Sequence, residues 1–272
     1  MTDTDKKPIN FGYFAARYLH YARPFVELHR AMGGLQFIDG NIFVEPCATG
    51  GVHIAAVTGQ AMAVFHDPDG HITRPCAIDV PDAAFDAARE PDPIAMSYCG
   101  ESFAPPLPQW AQPGRVYVYD AGIHIVPKMR HPDWAEKDAE FQPGLFTQGA
   151  SVGRHTVGID YRMRETDIPG WRELLRKTLA APEYPCGAAM AINPELMALF
   201  RSAYTDRPTA NEKAARFWMR HSGTPEAPQA TILRIEHHPE FIGLVMPQTP
   251  RTPHDIPAHF FFPAAQEGET RQ

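Results

Sequence analysis

The sequence predicts an α+β fold in which antiparallel sheets carry helices packed on one side. Residues 53–81 alternate short runs of β-branched and aromatic residues with reversals at Gly59 and at Asp67-Pro-Asp-Gly70. A short amphipathic helix over 82–89 follows at once, with Asp82 at its N-cap position. The 28 prolines mark many turns and sheet edges and argue against a mainly helical protein.

The other elements follow from apolar spacing and breaker residues. After a loose arm over residues 1–10, a helix is predicted over 14–32, ending at Gly33-Gly34. A further helix is predicted over 193–203 and a last strand over 241–248. The remaining predicted strands are 35–38, 41–46, 52–57, 61–66, 76–80, 94–99, 115–119, 122–127 and 155–163.

Composition narrows the class of protein. With 272 residues and 44% apolar residues, the chain is long enough for one or two domains with a full core. No stretch reaches the roughly 20 apolar residues of a membrane span, and the polar N-terminus lacks a signal-peptide core. The four cysteines show no metal or redox spacing, so we expect a cytoplasmic protein with reduced thiols and no membrane partner. No phosphate loop or His-Glu-x-x-His motif occurs, so we expect no cofactor and no metal.

The net charge of -7 is unevenly distributed. Residues 115–234 contain 16 Lys/Arg against 14 Asp/Glu, whereas the rest of the chain is strongly acidic. Nucleic-acid binding needs a local basic face rather than a basic total. An ordinary solvated surface explains the same charges equally well. The candidates for a DNA-facing surface are Arg201, Arg207, Lys213, Arg216 and Arg220.

Three segments carry a resemblance to a known family. They read Ala56-Val-Thr-Gly-Gln-Ala-Met-Ala-Val64, Ile168-Pro-Gly-Trp-Arg-Glu-Leu-Leu175 and Phe241-Ile-Gly-Leu-Val-Met-Pro-Gln248. Their order and apolar positions resemble the bacterial DNA polymerase III sliding clamp, in which the corresponding segments meet at a groove for short partner peptides. The resemblance covers roughly residues 15 to 248 and implies a divergent clamp-like fold, for which a phage or a plasmid is one expected origin.

The resemblance implies a non-enzymatic protein that binds a replication or repair partner, with DNA encirclement by a homo-oligomer as a further implication. The alternative for Met62, Leu174 and Met246 is that they belong to an ordinary core. The implied groove residues are Gly59, Gln60, Ala61, Met62, Pro169, Glu173, Leu174, Leu244, Met246, Pro247 and Gln248.

The chain departs from the family at several of these positions. Gln60 and Ala61 stand where the family has His and Arg, and Glu173 stands where it has Arg. Leu35-Gln-Phe37 replaces the Arg-Tyr-Tyr of a DNA-touching loop, which removes a cation and an aromatic ring. We therefore expect altered peptide specificity and weak, salt-sensitive binding of DNA.

The resemblance also divides the chain. It implies a clamp-like domain over 1–165, an abbreviated second one over 166–248, and a Pro-rich extended tail over 249–272. The tail contains His259-Phe-Phe-Phe262, three consecutive aromatic rings that would gain from burial. We expect these rings to dock on an apolar groove of the same or a neighbouring chain.

Two other patterns suggest chemistry. Gly149-Ala-Ser-Val-Gly153 fits the Gly-x-Ser-x-Gly nucleophile pattern, so a hydrolase using Ser151 and a nearby His is an alternative to a clamp. His66-Asp-Pro-Asp-Gly-His71 brings together oxygen and imidazole ligands, although Asp-Pro-Asp-Gly is first of all a turn sequence. A third alternative is a clamp-fold interaction protein that does not bind DNA.

Overall fold

The structure is a computed structural model of an α+β protein. It describes residues 9–31, 42–89, 96–98, 101–103, 112–119, 122–128, 157–160, 163–164, 170–183, 191–205, 216–236 and 238–248.

The described chain forms fifteen strands and five helices. In the N-terminal part these are β1 (Asn10–Ala15), α1 (Ala16–Ala31), β2 (Ile42–Pro46), β3 (Val52–Val57), β4 (Ala61–Asp67), β5 (His71–Ile72), β6 (Cys76–Ile78), α2 (Asp82–Ala88), β7 (Met96–Tyr98), β8 (Glu101–Phe103), β9 (Pro113–Tyr119) and β10 (Gly122–Pro127). The C-terminal part contains β11 (Val157–Asp160), β12 (Met163–Arg164), α3 (Trp171–Ala180), α4 (Pro194–Ala198), α5 (Arg201–Thr205), β13 (Phe217–Arg220), β14 (Thr231–Ile235) and β15 (His238–Val245).

Two antiparallel sheets dominate the fold. The smaller has the order β11-β10-β9-β1-β5, and the larger has the order β12-β6-β2-β3-β4-β15-β14-β13. A separate hairpin pairs β7 with β8. The larger sheet contains strands from both predicted domains, because β15 pairs with β4.

Helix α1 lies between the two large sheets and contacts β3 and β4 on one side and β9 on the other. Its apolar stripe, which includes Tyr18, Leu19 and Phe25, is buried in the main core. The core also contains Phe200, at the junction of α4 and α5, whose ring lies 5.1 Å from that of Phe25. Helix α3 lies on the opposite face of the eight-stranded sheet, where it covers a second, smaller core.

Two local features fix the start of the chain in place. The buried carboxylate of Asp67 accepts the backbone N–H of Ala15 at 2.7 Å, which fixes the junction between β1 and α1 against the β4–β5 turn. Gly12 has φ +140°, and a Cβ there would overlap the carbonyl oxygen of His71 on β5. Only glycine permits this close approach of the two strands.

The α+β class is confirmed, and β2, β3 and β4 are consecutive antiparallel strands as the sequence predicts. The β9–β10 hairpin is confirmed as well. The predicted helix over 14–32 starts too early, because residues 10–15 form the strand β1. The predicted helix over 193–203 is divided into α4 and α5, and β13 and β14 were not predicted. The predicted strand over 35–38 and the tail lie outside the described residues.

Candidate functional site

Two of the three segments that carry the family resemblance are neighbours in the eight-stranded sheet. Strand β15 pairs with β4 so that Leu244 lies opposite Met62. Beyond the end of β15, the backbone N–H of Met246 donates to the carbonyl of Gln60 at 2.8 Å. Segments almost 200 residues apart in sequence therefore form one continuous edge of the site.

The third segment, in α3, packs on the face of this sheet that carries the side chains of Met62 and Leu244. Trp171 is almost fully buried there, and Leu175 packs against the same group of side chains. Their apolar support is the second core, which comprises Phe43, Ala55, Val57, Met62, Val64, Ala77, Trp171, Ala230, Ile232 and Leu244. The structure thus brings together the three segments that the resemblance places at one groove.

The apolar members of the predicted groove divide into core and surface. Met62 and Leu244 are 1% and 2% exposed, so these two side chains belong to the core. Leu174 and Met246 are 39% and 38% exposed, and Leu179, which the sequence analysis did not single out, is 46% exposed. We call Leu174, Leu179 and Met246 the α3 surface.

The turn between β3 and β4 lies beside Met246, whose backbone N–H donates to the carbonyl of Gln60. The hydroxyl of Thr58 accepts the backbone N–H groups of Gln60 and Ala61, at 3.1 and 2.8 Å. Gly59 and Gln60 are exposed at the tip of the turn, whereas Ala61 is buried. The backbone of Gln60 is therefore fixed on both sides, and the residue is exposed at the tip of the turn.

The other predicted groove residues have varied surroundings. Pro247 is half-buried, and the N–H of the exposed Gln248 donates to the carbonyl of Ala191 at 2.8 Å. Glu173 is exposed and forms ion pairs with Arg176 at 2.7 Å and Lys177 at 3.6 Å. The hydrogen bond from Arg176 lowers the pKa of the Glu173 carboxyl below its ordinary value. Pro169 lies outside the described residues.

An ion pair fixes the N-terminal end of α3 to the sheet. The Nε of Arg172 donates to Oε1 of Glu45 at 2.6 Å, and its Nη2 contacts the other carboxylate oxygen. The side chain of Glu45 is 4% exposed and that of Arg172 is 55% exposed. A buried carboxylate needs such a partner, because desolvation without one is costly. The sequence signal for this ion pair is Glu45 itself, a charge directly after the apolar run Ile42-Phe43-Val44, and the predicted site does not include it.

Two histidines continue this polar row across the sheet. Glu45 lies opposite His53 in the β2–β3 pair, and His53 lies opposite His66 in the β3–β4 pair. The rings of His53 and His66 are 5.4 Å apart, and the ring of Trp171 stands edge-on to His53 at 6.3 Å. Burial, and secondarily the charge of His66, lower the pKa of His53.

The C-terminal end of α3 is bound by an arginine from β13. Nη2 of Arg220 donates to the carbonyl of Leu179 at 3.1 Å and lies 3.5 Å from that of Thr178. A guanidinium at this end satisfies carbonyls that the helix leaves unpaired and complements its dipole. Arg172 and Arg220 therefore hold α3 at both ends.

The candidate DNA-facing residues do not share one surface in the described part of the chain. Arg220 contacts α3 on one face of the sheet, whereas Arg201 belongs to α5, which contacts α1 on the other. Arg216 is exposed, 3.9 Å from a carboxylate oxygen of Glu236. Arg207 and Lys213 lie outside the described residues.

The structure describes the residues of the His66–His71 pattern but not Ser151 of the Gly-x-Ser-x-Gly pattern. The Asp67-Pro-Asp-Gly70 turn is confirmed, with the N–H of Gly70 donating to the carbonyl of Asp67 at 3.2 Å. Nε2 of His66 contacts the carbonyl of Gly50 at 2.8 Å. Among the described residues, no three His, Cys, Asp or Glu side chains form a metal-binding group. Ser151 lies outside the described residues, and no described helix is long and apolar enough to cross a membrane.

Comparison with known proteins finds similarity to solved structures alone, and three of these are described here. No family model matches the chain, and no curated protein sequence matches it. A Pseudomonas aeruginosa DNA polymerase sliding clamp with a ligand aligns over 92% of this chain and 69% of its own, with 10% identity and a TM-score of 0.41. A second structure of the clamp from that organism aligns over 89% and 67%, with 10% identity and a TM-score of 0.39.

The third match is the beta subunit of DNA polymerase III from Borrelia burgdorferi in complex with a natural product. It covers 91% of this chain and 65% of its own, with 12% identity and a TM-score of 0.38.

Proposed function

We propose that this protein is a clamp-like, non-enzymatic protein that binds a partner protein through the α3 surface. The observation that supports the proposal is that three distant segments, the β3–β4 hairpin, α3 and β15, meet in the second core. In addition, α3 and the end of β15 carry the partly exposed side chains of Leu174, Leu179 and Met246. Apolar side chains rimmed by polar groups and held on a rigid sheet are typical of peptide-binding sites.

The chemistry of the surface indicates the kind of ligand. Leu174, Leu179 and Met246 have about 40% of their surface open to solvent, and covering one of them would contribute roughly 1 kcal/mol. Arg176 and Lys177 lie beside them on α3. A short extended peptide with paired Leu and Phe side chains, of the kind that sliding clamps bind, fits this combination.

DNA encirclement, assembly into a homo-oligomer and a cytoplasmic location are finer parts of the same proposal. DNA contact ranks behind protein binding, because the described candidates Arg201 and Arg220 lie on opposite faces of the sheet. A clamp-fold interaction protein without DNA binding is therefore the second candidate. Failure of duplex DNA to bind at low salt, together with retained peptide binding, would favour this candidate.

The tail offers a built-in competitor for the α3 surface. Residues 249–272 begin three residues after Met246, which is itself part of the surface. Phe260 follows Gln248 by twelve residues, which span up to about 40 Å when extended. We propose that Phe260, Phe261 and Phe262 occupy the α3 surface when no partner is bound.

The proposal is tested with a fluorescein-labelled peptide ending in Leu-Phe, titrated with the full chain and followed by fluorescence anisotropy. Leu174→Ser and Met246→Ser should each weaken binding about five-fold, since each removes roughly 1 kcal/mol. Ile9→Ser is the matched control, because Ile9 is 60% exposed and precedes β1 in the other sheet. Equal affinity of all four proteins, or no binding, would contradict the proposal.

A further inference from the structure

The outer face of the five-stranded sheet carries a row of rings that the proposed protein-binding site does not use. Along paired positions, His71 on β5 lies opposite Tyr13 on β1, and Tyr13 lies opposite Tyr117 on β9. Tyr117 in turn lies opposite His124 on β10. Four neighbouring strands therefore each place one ring in the same row.

The rings of His71, Tyr13 and Tyr117 are close enough to form a continuous surface. The centroids of His71 and Tyr13 are 6.4 Å apart, and those of Tyr13 and Tyr117 are 5.4 Å apart. His71 is exposed and the two tyrosines are half-buried, while His124 at the far end is buried. Phe14 and Val116, which neighbour Tyr13 and Tyr117 along their strands, belong to the main core. The row of rings therefore lies on the opposite, outer face of the sheet.

A cation flanks this row. The guanidinium carbon of Arg115 lies 4.7 Å from the centroid of the Tyr13 ring. Arg115 is exposed, and no described carboxylate pairs with it. The strands β1, β5, β9 and β10 contain no Asp or Glu, and β11 adds only Asp160. In a protein of net charge -7, this sheet is unusually poor in acidic residues.

We propose that this outer face binds single-stranded nucleic acid, with bases stacking on His71, Tyr13 and Tyr117 and a phosphate paired with Arg115. Aromatic rings on an open sheet and a neighbouring cation are the two components of such sites. Duplex bases are already stacked and cannot reach the rings. The ring spacing exceeds the 3.4 Å rise per base of a stacked strand, so the row fits an extended strand of two or three nucleotides.

The test uses the full chain and fluorescein-labelled oligonucleotides, dT12, rU12 and a 12-base-pair duplex, followed by anisotropy at low salt. The single strands should bind more tightly than the duplex. Tyr117→Leu should weaken their binding roughly 5- to 100-fold, since it removes one stacking ring. Tyr117→Phe keeps the ring and should bind like the unmodified protein, with thermal unfolding checking that both variants fold.

The electrostatic contribution is tested separately. Arg115→Gln should weaken binding and reduce the slope of log affinity against log salt by about one. Arg234→Gln, which removes the same charge from an exposed position on β14 in the other sheet, is the matched control and should leave both unchanged. Similar binding of duplex and single strands, equal affinities of the Leu and Phe variants, or binding to heparin but not to dT12 would overturn the inference.

Discussion

The ion pair between Arg172 and Glu45 should determine how firmly α3 is held on the sheet. Arg172→Met keeps the aliphatic part of the side chain but leaves the carboxylate of Glu45, 4% exposed, without its cation. Breaking a fully buried pair from one side costs about 3–5 kcal/mol. Because the side chain of Arg172 is 55% exposed and water can reach the vacated position, we expect about 1–2 kcal/mol.

A double variant separates the effect of the unpaired buried charge from the effect of the lost side-chain packing. In the double variant Glu45→Gln/Arg172→Met the buried charge is gone, so the double variant should be more stable than Arg172→Met alone. Urea unfolding followed by tryptophan fluorescence measures both free energies, since Trp171 is buried beside the ion pair. The labelled Leu-Phe peptide should bind Arg172→Met more weakly, because α3 carries Leu174 and Leu179.

Two results would refute this reasoning. One is a free energy of unfolding for Arg172→Met within about 0.3 kcal/mol of the unmodified protein. The other is a double variant less stable than the single one, which would mean that the interaction of Arg172 with Glu45 contributes nothing specific. Arg176→Met is the matched control, because Arg176 is exposed and its ion pair among the described residues is with Glu173 on the same helix. It should cost less than about 0.5 kcal/mol.

The other predictions concern the tail, pH and packing. Deleting residues 249–272 should raise the affinity for the labelled Leu-Phe peptide several-fold; unchanged affinity would show that the tail does not occupy the α3 surface. His53 has a lowered pKa in the folded protein, so the unfolded chain binds its proton more readily. Stability should therefore fall as the pH drops below about 6.5, and less steeply in His53→Gln, as urea unfolding at pH 7.5 and 5.5 would show. Gly243→Ala would place a Cβ 2.5 Å from the ring of Phe200 and should lower the free energy of unfolding by about 1–3 kcal/mol; no change in urea unfolding would contradict this.

The strands with a clear alternating or apolar pattern were predictable from the sequence. β3 and β10 have the predicted bounds, and β2 and β4 differ from prediction by one residue. Each is bounded by a turn residue or a proline that the local sequence shows directly. Local chemistry therefore determined these elements.

The missed elements depend on contacts that the local sequence does not show. β1 contains the helix-compatible residues Tyr13, Phe14 and Ala15, but pairing with β9 and β5 draws them into a strand. β13 exposes Trp218 and Met219, so its burial pattern does not alternate as in an ordinary strand. For β1 and β13, tertiary pairing overrides intrinsic preference.

The candidate site was predictable only in part for a similar reason. Apolar residues such as Met62 and Leu174 were found from the resemblance, but exposure decides which of them can touch a ligand. The residues that hold α3, Glu45, Arg172 and Arg220, act through long-range contacts between elements 40 to 130 residues apart. Contacts of this kind cannot be inferred from the spacing of residues along the sequence.

The pairing of β15 with β4 has a consequence for synthesis of the protein. β4 acquires its second neighbour only after about 170 further residues, which takes roughly 10–30 s on a ribosome. During that interval the unpaired edge of Ala61–Asp67, five of whose residues are Ala, Met, Val or Phe, is open to other nascent chains. A variant that weakens β15 should therefore show its first defect as aggregation during expression, before any loss of thermal stability in the fraction that folds.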